Sequence, residues 1–188
     1  IESNTGARFN LEEQSRYGKE ALEEIKFGAV IGLLLIYAIL SWTSDSFLWP
    51  FLLMLVIPFG LTGAILGHIL LGYDMTLMSI FGMFGLTGIV VNNSIILLHR
   101  FKQIQKQFPR ISHSQKIIKA TCQRFRSIVL TTLTTIVGLT PLLFETSRSA
   151  QFLIPMAISI TFGLILANVL LILVLPILMN MRKFFINF

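Results

Sequence analysis

Carboxylates are nearly missing from most of this chain. Of its nine acidic residues, six (Glu2, Glu12, Glu13, Glu20, Glu23 and Glu24) fall within residues 1–26, and only Asp45, Asp74 and Glu145 follow. No close pair of acids is left for general acid–base work. Cysteine is as scarce: Cys122 stands alone, which rules out a disulfide framework and a zinc site of CxxC spacing. No glycine-rich loop leads into Lys-Ser or Lys-Thr, and no nucleophile sits beside a base, so the sequence offers no enzyme active site and no cofactor or metal site. Charged residues make up only 13% of the chain, about half the roughly 25% of an ordinary soluble domain. A charged n-region followed by an h-region and a small-residue cleavage site is also lacking. The chain opens on Ile1 rather than Met, and it is expected to be a piece of a longer protein.

Long apolar runs fill the space that charge leaves. Hydrophobic residues make up 54% of the chain, with a mean hydropathy of +0.78, the composition of a membrane protein. The net charge of +6 does not imply nucleic acid, because the cations are confined to stubs and loops between apolar runs, the pattern of positive-inside topology.

Residues 1–26 read as a polar lead-in helix, with Glu20–Glu24 and Lys19–Glu23 at i,i+4. Five apolar segments follow at about 27–42, 48–71, 75–99, 127–144 and 152–179, each near the ~20 residues that cross a hydrocarbon core of ~30 Å. The expected fold is an all-α, five-helix transmembrane bundle. Thr43, Ser44, Asp45 and Ser46 close the first segment. Pro50 falls in the first turn of the second, and Pro58 inside it predicts a kink. Residues 100–126 carry eight basic residues (Arg100, Lys102, Lys106, Arg110, Lys116, Lys119, Arg124 and Arg126) and no acid. From Ser112 they suit a helix lying on the cytoplasmic surface. This loop and the tail at 180–188, with Arg182 and Lys183, fall on one side of the membrane. The positive-inside rule makes that side cytoplasmic and the N-terminal segment outward.

The chemistry concentrates in Phe81 to Arg100, FGMFGLTGIVVNNSIILLHR, where two adjacent amides, Asn92 and Asn93, interrupt an apolar run. An ionisable or strongly polar group in a span is a functional-site hypothesis, since an unpartnered amide in hydrocarbon is costly. Gly82, Gly85 and Gly88 recur every three residues ahead of Asn92, so this face serves either as a packing seam alone or as the close approach that delivers the amides to a relay between helices. On the fourth segment Thr131, Thr135 and Gly138 share a face, with Thr132 and Thr134 beside them and Arg124 and Arg126 at its inner mouth. Threonine in a membrane helix usually bonds its own i−4 carbonyl, and the arginines suit snorkelling to phosphate. His68 and His99 stand near span ends and read as interfacial anchors rather than proton carriers.

The run IPFGLTGAILGHILLGYDMTLMSIFGMFGLTGIVVNNSIILLHRF, then RFRSIVLTTLTTIVGLTPLLFE, then a last span ending in proline and basic residues, resembles the C-terminal membrane half of the resistance-nodulation-division efflux transporters, of the acriflavine-resistance, hydrophobe–amphiphile type. The resemblance covers nearly the whole chain. It implies spans eight to twelve of a twelve-span, two-repeat transporter in a bacterial inner membrane, with residues 1–26 the end of a periplasmic porter region. It further implies proton-driven export, with the proton gradient as energy source, and a homotrimer with a periplasmic adaptor and an outer-membrane channel. The missing N-terminal half and porter domains would lie elsewhere in the same protein. In that family a lysine on the tenth span and polar residues on the eleventh serve two aspartates of the fourth. The lysine position falls on Asn92, the amide after it on Asn93, the threonine on Thr131 and the arginine below it on Arg124. Asn at the lysine position removes a permanent charge, so the partner aspartate would lose a counter-ion. A transporter of metal, lipid or protein cargo with the same architecture is the alternative, as is a non-transporting membrane subunit.

Overall fold

The computed structural model describes the backbone of residues 2–44 and 47–186, with side chains over 20–44, 47–147, 150–174 and 176–177. Asp45 and Ser46, the side chain of Lys19 and those of Arg182 and Lys183 lie outside the described residues. All regular structure among the described residues is helical.

The chain divides into two compact units, residues 1–45 and 46–188. The first is one helix, α1 (Glu2–Ser44). It holds no proline and runs unbroken through the boundary between the polar lead-in and the first apolar segment. Its last turn includes Thr43, whose hydroxyl donates to the Ile39 carbonyl at 2.9 Å. Phe27, Leu34 and Trp42 are exposed on it, as befits a surface meant for lipid rather than water.

The second unit holds the remaining helices: α2 (Leu48–Met54), α3 (Ile57–Leu71), α4 (Leu77–Gln107), α5 (His113–Leu143), the short α6 (Arg148–Gln151) and α7 (Ile154–Ile186). At the kink expected from Pro58 the regular helix is interrupted for two residues, between α2 and α3. Proline has no N–H to return to the preceding turn, and Pro58 falls in the first turn of α3; Leu55 and Val56 keep right-handed helical dihedrals and still donate to the Phe51 and Leu53 carbonyls at 3.2 and 3.3 Å. Gly72 ends α3 at φ 69°, a left-handed conformation that only glycine adopts without a steric penalty. Thr76 and Ser79 then form a reciprocal capping box that starts α4, and Ser112 with Gln115 does the same for α5.

The helix from Ser112 is not a separate element from the fourth apolar segment. α5 is continuous from His113 to Leu143, so Lys116, Lys119, Arg124 and Arg126 ride on the same rod as the threonines. α4 likewise continues to Gln107, past His99. The end of the bundle that carries the basic stretch is held by aromatic contacts: Trp49 of α2 lies 5.7 Å from Phe101 of α4 between ring centroids. Phe101 meets His113 edge-on at 5.4 Å, while Lys119 stacks over Phe108 at 3.5 Å.

α7 is the central helix. Ile154, Ile158, Leu164, Ala167 and Leu171 are all buried along it, and α3, α4 and α5 pack around it. Two of these contacts are made by missing side chains. A Cβ on Gly63 of α3 would lie 2.8 Å from the Phe162 carbonyl oxygen, and one on Gly67 would lie 2.5 Å from Phe162 Cβ. On α4, a Cβ on Gly82 would lie 2.6 Å from the Met156 carbonyl oxygen. Gly163 of α7 admits the side chain of Leu86 in the same way. Small residues let backbones approach, which is how helices associate where lipid removes the hydrophobic drive.

Candidate functional site

The two amides of α4 part company. Neighbours on a helix are separated by about 100°, so when Asn93 points into the bundle, 6% exposed, Asn92 is turned outward and exposed. Asn93 Nδ2 donates to Asn168 Oδ1 of α7 at 3.1 Å. Asn168, 3% exposed, in turn donates from Nδ2 to Thr132 Oγ1 of α5 at 2.6 Å. The Thr132 hydroxyl donates to its own i−4 carbonyl, Ile128, at 2.8 Å. One polar chain thus crosses three helices in the middle of their apolar lengths. Every member is neutral, and Asn168, the hub, uses both its carbonyl oxygen and its NH2 group in the chain, which is how a buried polar network is tolerated.

Thr131 does not enter this chain. It is exposed, and its hydroxyl donates to the Ser127 carbonyl at 2.8 Å. Thr135 donates to the Thr131 carbonyl at 2.9 Å. Both make the self-bonded arrangement usual for threonine in a membrane helix. The member of the threonine cluster that reaches another helix is Thr132, one residue and a quarter turn from Thr131. Arg124 is half-buried, and its Nε is buried with no hydrogen-bond partner among the described residues. Eight residues, or about 12 Å of helix rise, separate it from Thr132.

The glycine row on α4 also divides. Steps of three residues drift by about 60° around a helix with 3.6 residues per turn. Gly82 therefore faces α7, while Gly85 and Gly88 have rotated away, and a Cβ on either would meet nothing within 4 Å. Gly138 on α5 is open in the same sense. Gly85, Gly88 and Asn92 form an exposed strip of small and polar surface on α4. Thr131 and Gly138 form a similar one on α5. The seam inside this unit is made instead by Gly63 and Gly67 with Gly163, and by Gly82.

His68 is not an interfacial anchor. It is 2% exposed, with Nδ1 2.9 Å from the Ala64 carbonyl and Nε2 2.8 Å from Ser79 Oγ of α4. A carbonyl only accepts, so Nδ1 carries the hydrogen, and in the neutral ring Nε2 accepts from the Ser79 hydroxyl. Ser79 Oγ also accepts from the Thr76 N–H at 3.0 Å, which joins the histidine to the capping box that starts α4. His99 is exposed. Among the described residues no group of three or more His, Cys, Asp or Glu could hold a metal ion.

Comparison with protein families matches residues 1–182 to the AcrB/AcrD/AcrF family. The match spans nearly the whole chain. This chain belongs to that family, the resistance-nodulation-division transporters. It is accordingly a segment of a multi-pass membrane transporter, and the family's work is transport rather than enzymatic conversion. Five of its helical stretches (Glu20–Ser44, Leu48–Leu71, Leu77–Gln107, His113–Leu143 and Ile154–Val174) are long and apolar enough to cross a bilayer. Polar side chains that hydrogen-bond across helices, as Asn93, Asn168 and Thr132 do, hold membrane helices to one another.

Asn168 is the residue that sequence reasoning passed over. It is the single amide in the run ILANVLLILVLP, and the signal that singled out Asn92 and Asn93 was equally present there. Gly63 and Gly67 lay inside the quoted family motif without their packing role being legible, and Gly163 lay in the last apolar segment outside it.

Proposed function

We propose that this chain is the C-terminal membrane half, spans eight to twelve, of a proton-driven efflux transporter that exports amphiphilic or toxic compounds from a bacterial inner membrane. The observation that carries the reading is the pair of amides on α4. Asn93 is tied into the bundle through Asn168, while Asn92 faces outward beside Gly85 and Gly88, whose Cβ positions are open. An exposed strip of glycine and amide on a membrane helix suits close approach by another helix, and the N-terminal membrane half of the same protein is the proposed occupant. Its carboxylates would then meet Asn92 and Asn93 from α4 and the open face of α5 bearing Thr131, Thr135 and Gly138.

Neither amide carries charge, so they would serve the carboxylates as hydrogen-bond partners. An amide can donate to an ionised carboxylate and accept from a protonated one, whereas a lysine ammonium can only donate. Protonation would shift helices relative to one another and thereby drive the porter domain. The eight cations and no acids of residues 100–126 support a cytoplasmic placement of that stretch and of the C-terminus, with the N-terminus periplasmic. The working assembly in this reading is a homotrimer with a periplasmic adaptor and an outer-membrane channel.

The test is Asn92→Leu and Asn93→Leu, singly and together, in the full-length protein. Export of an amphiphilic dye from cells should collapse in the double variant while membrane abundance and assembly stay at the wild-type level. Unchanged export at normal abundance would sink the relay.

A further inference from the structure

The proposed function leaves α7 without a role in coupling, yet α7 supplies the hub of the polar chain. We infer that Asn168 is a positioning residue of the transport site, which passes the hydrogen-bond state of Asn93 on α4 to Thr132 and so sets how firmly α5 is held. The inference rests on the proposed coupling at Asn93.

The direction of the chain follows from counting protons. Thr132 has one hydroxyl hydrogen, and the Ile128 carbonyl takes it. Thr132 can then only accept, so Asn168 must present its NH2 group to it and its carbonyl oxygen to Asn93. Asn93 must therefore spend an N–H on Asn168, and its own carbonyl oxygen remains outside the chain. Turning both amides over gives a second self-consistent arrangement. Thr132 would donate to Asn168 Oδ1, Asn168 Nδ2 to Asn93 Oδ1, and the NH2 of Asn93 would become the group left over. The observed polarity offers an acceptor, which suits a protonated carboxyl, and the reversed polarity offers a donor, which suits a carboxylate. Only in the reversed state does the Thr132 proton leave α5 for α7.

The switching proton has to come from outside this unit. Neither α4 from Leu77 to Leu98, nor α5 over 127–143, nor α7 over 154–177 contains a titratable residue. On α3 the only one is His68, already bonded to Ala64 and Ser79. His99 lies about 9 Å of helix rise from Asn93; Arg126 and Arg124 lie about 9 and 12 Å from Thr132. α5 is also the helix such a device could move. It buries only Ile117, Ala120 and Ile128, and nothing packs within 4 Å of a Cβ on Gly138. By contrast α3, α4 and α7 are interlocked at Gly63, Gly67, Gly82 and Gly163. Among the described residues, Asn168 to Thr132 is the one side-chain hydrogen bond that ties residues 127–143 to another helix.

The test is a double-mutant cycle in the full-length transporter, with Asn168→Leu and Thr132→Val assayed for export in proteoliposomes. Each single variant should lower Vmax about three- to tenfold, the scale of one interhelical hydrogen bond, with KM unchanged. The double variant should be no worse than the more affected single, because both break the same chain. Asn168→Gln, which keeps donor and acceptor, should recover part of the loss. Losses that multiply in the double variant, or a wild-type Vmax in Thr132→Val, would overturn the inference. If Asn168→Leu fails to accumulate, Thr132→Val decides alone. A collapse in Asn93→Leu with no effect at Asn168 or Thr132 would overturn the hub and leave the coupling at Asn93 standing. No effect at any of the three would remove both.

Discussion

Adding a single methyl group at Gly63 or at Gly88 should have opposite consequences. At Gly63 an alanine Cβ would lie 2.8 Å from both Leu166 Cβ and the Phe162 carbonyl oxygen, and 3.0 Å from Gly163 Cα. These neighbours are backbone or the root of a side chain, so relief requires α3 and α7 to separate rather than a rotamer to change. Overpacking of this kind costs about 1–3 kcal/mol, and the gain from replacing a helical glycine by alanine, about 1 kcal/mol, offsets only part of it. At Gly88 nothing lies within 4 Å of the new methyl, so within this unit only the helical gain of about 1 kcal/mol remains. The assay is thermal unfolding of the isolated 46–188 unit in detergent, followed by size-exclusion recovery. Gly63→Ala should lower the midpoint by several degrees at about 2–4 °C per kcal/mol, and Gly88→Ala should leave it unchanged or raise it. In the full-length transporter the proposed docking face predicts that Gly88→Ala becomes harmful to export. Equal midpoints for the two variants of the unit would refute the assignment of the seam.

Other substitutions test the remaining contacts. His68→Leu removes the partner of the Ser79 hydroxyl and leaves a buried polar group with one fewer bond, so the 46–188 unit should lose about 1–3 kcal/mol in a denaturant or thermal melt. Ser112→Ala deletes the N-cap of α5, for a loss of about 1 kcal/mol in the same melt. Thr131→Val should change that melt by less than about 0.5 kcal/mol, because its hydroxyl bonds only within α5. Cysteine substitutions at Gln107 and Arg110 in the full-length protein, probed with a membrane-impermeant maleimide, should label only from the cytoplasmic side, and labelling from the periplasm would overturn the proposed orientation.

Much of this was legible in the residues. Five long apolar stretches with charge only between them leave little choice but a helical membrane bundle, since a spanning chain must satisfy its backbone internally. The amides of α4 announced themselves because hydrocarbon offers them no partner. Which amide turned inward did not, because that depends on the rotation of α4 against α7, fixed by Gly82 and Leu86 packing on α7. The same rotation explains why a glycine row with period three was not one face, and why Thr132 rather than Thr131 reached the chain. Pro58 signalled a disturbance, but whether it bends or breaks the helix is settled by what packs on either side. His68 looked terminal when counted along its segment. The reversal of the chain at Gly72 to Thr76 brings Ser79 back alongside it, and that contact is tertiary.

The account depends most on proton coupling at Asn93, and proton flux reports it directly. The full-length transporter, reconstituted in proteoliposomes with a trapped pH-sensitive dye and an imposed pH gradient, should dissipate the gradient when an amphiphilic substrate is added. Asn93→Leu, present at the same protein-to-lipid ratio, should abolish the substrate-dependent component. Wild-type proton flux in that variant would contradict the account.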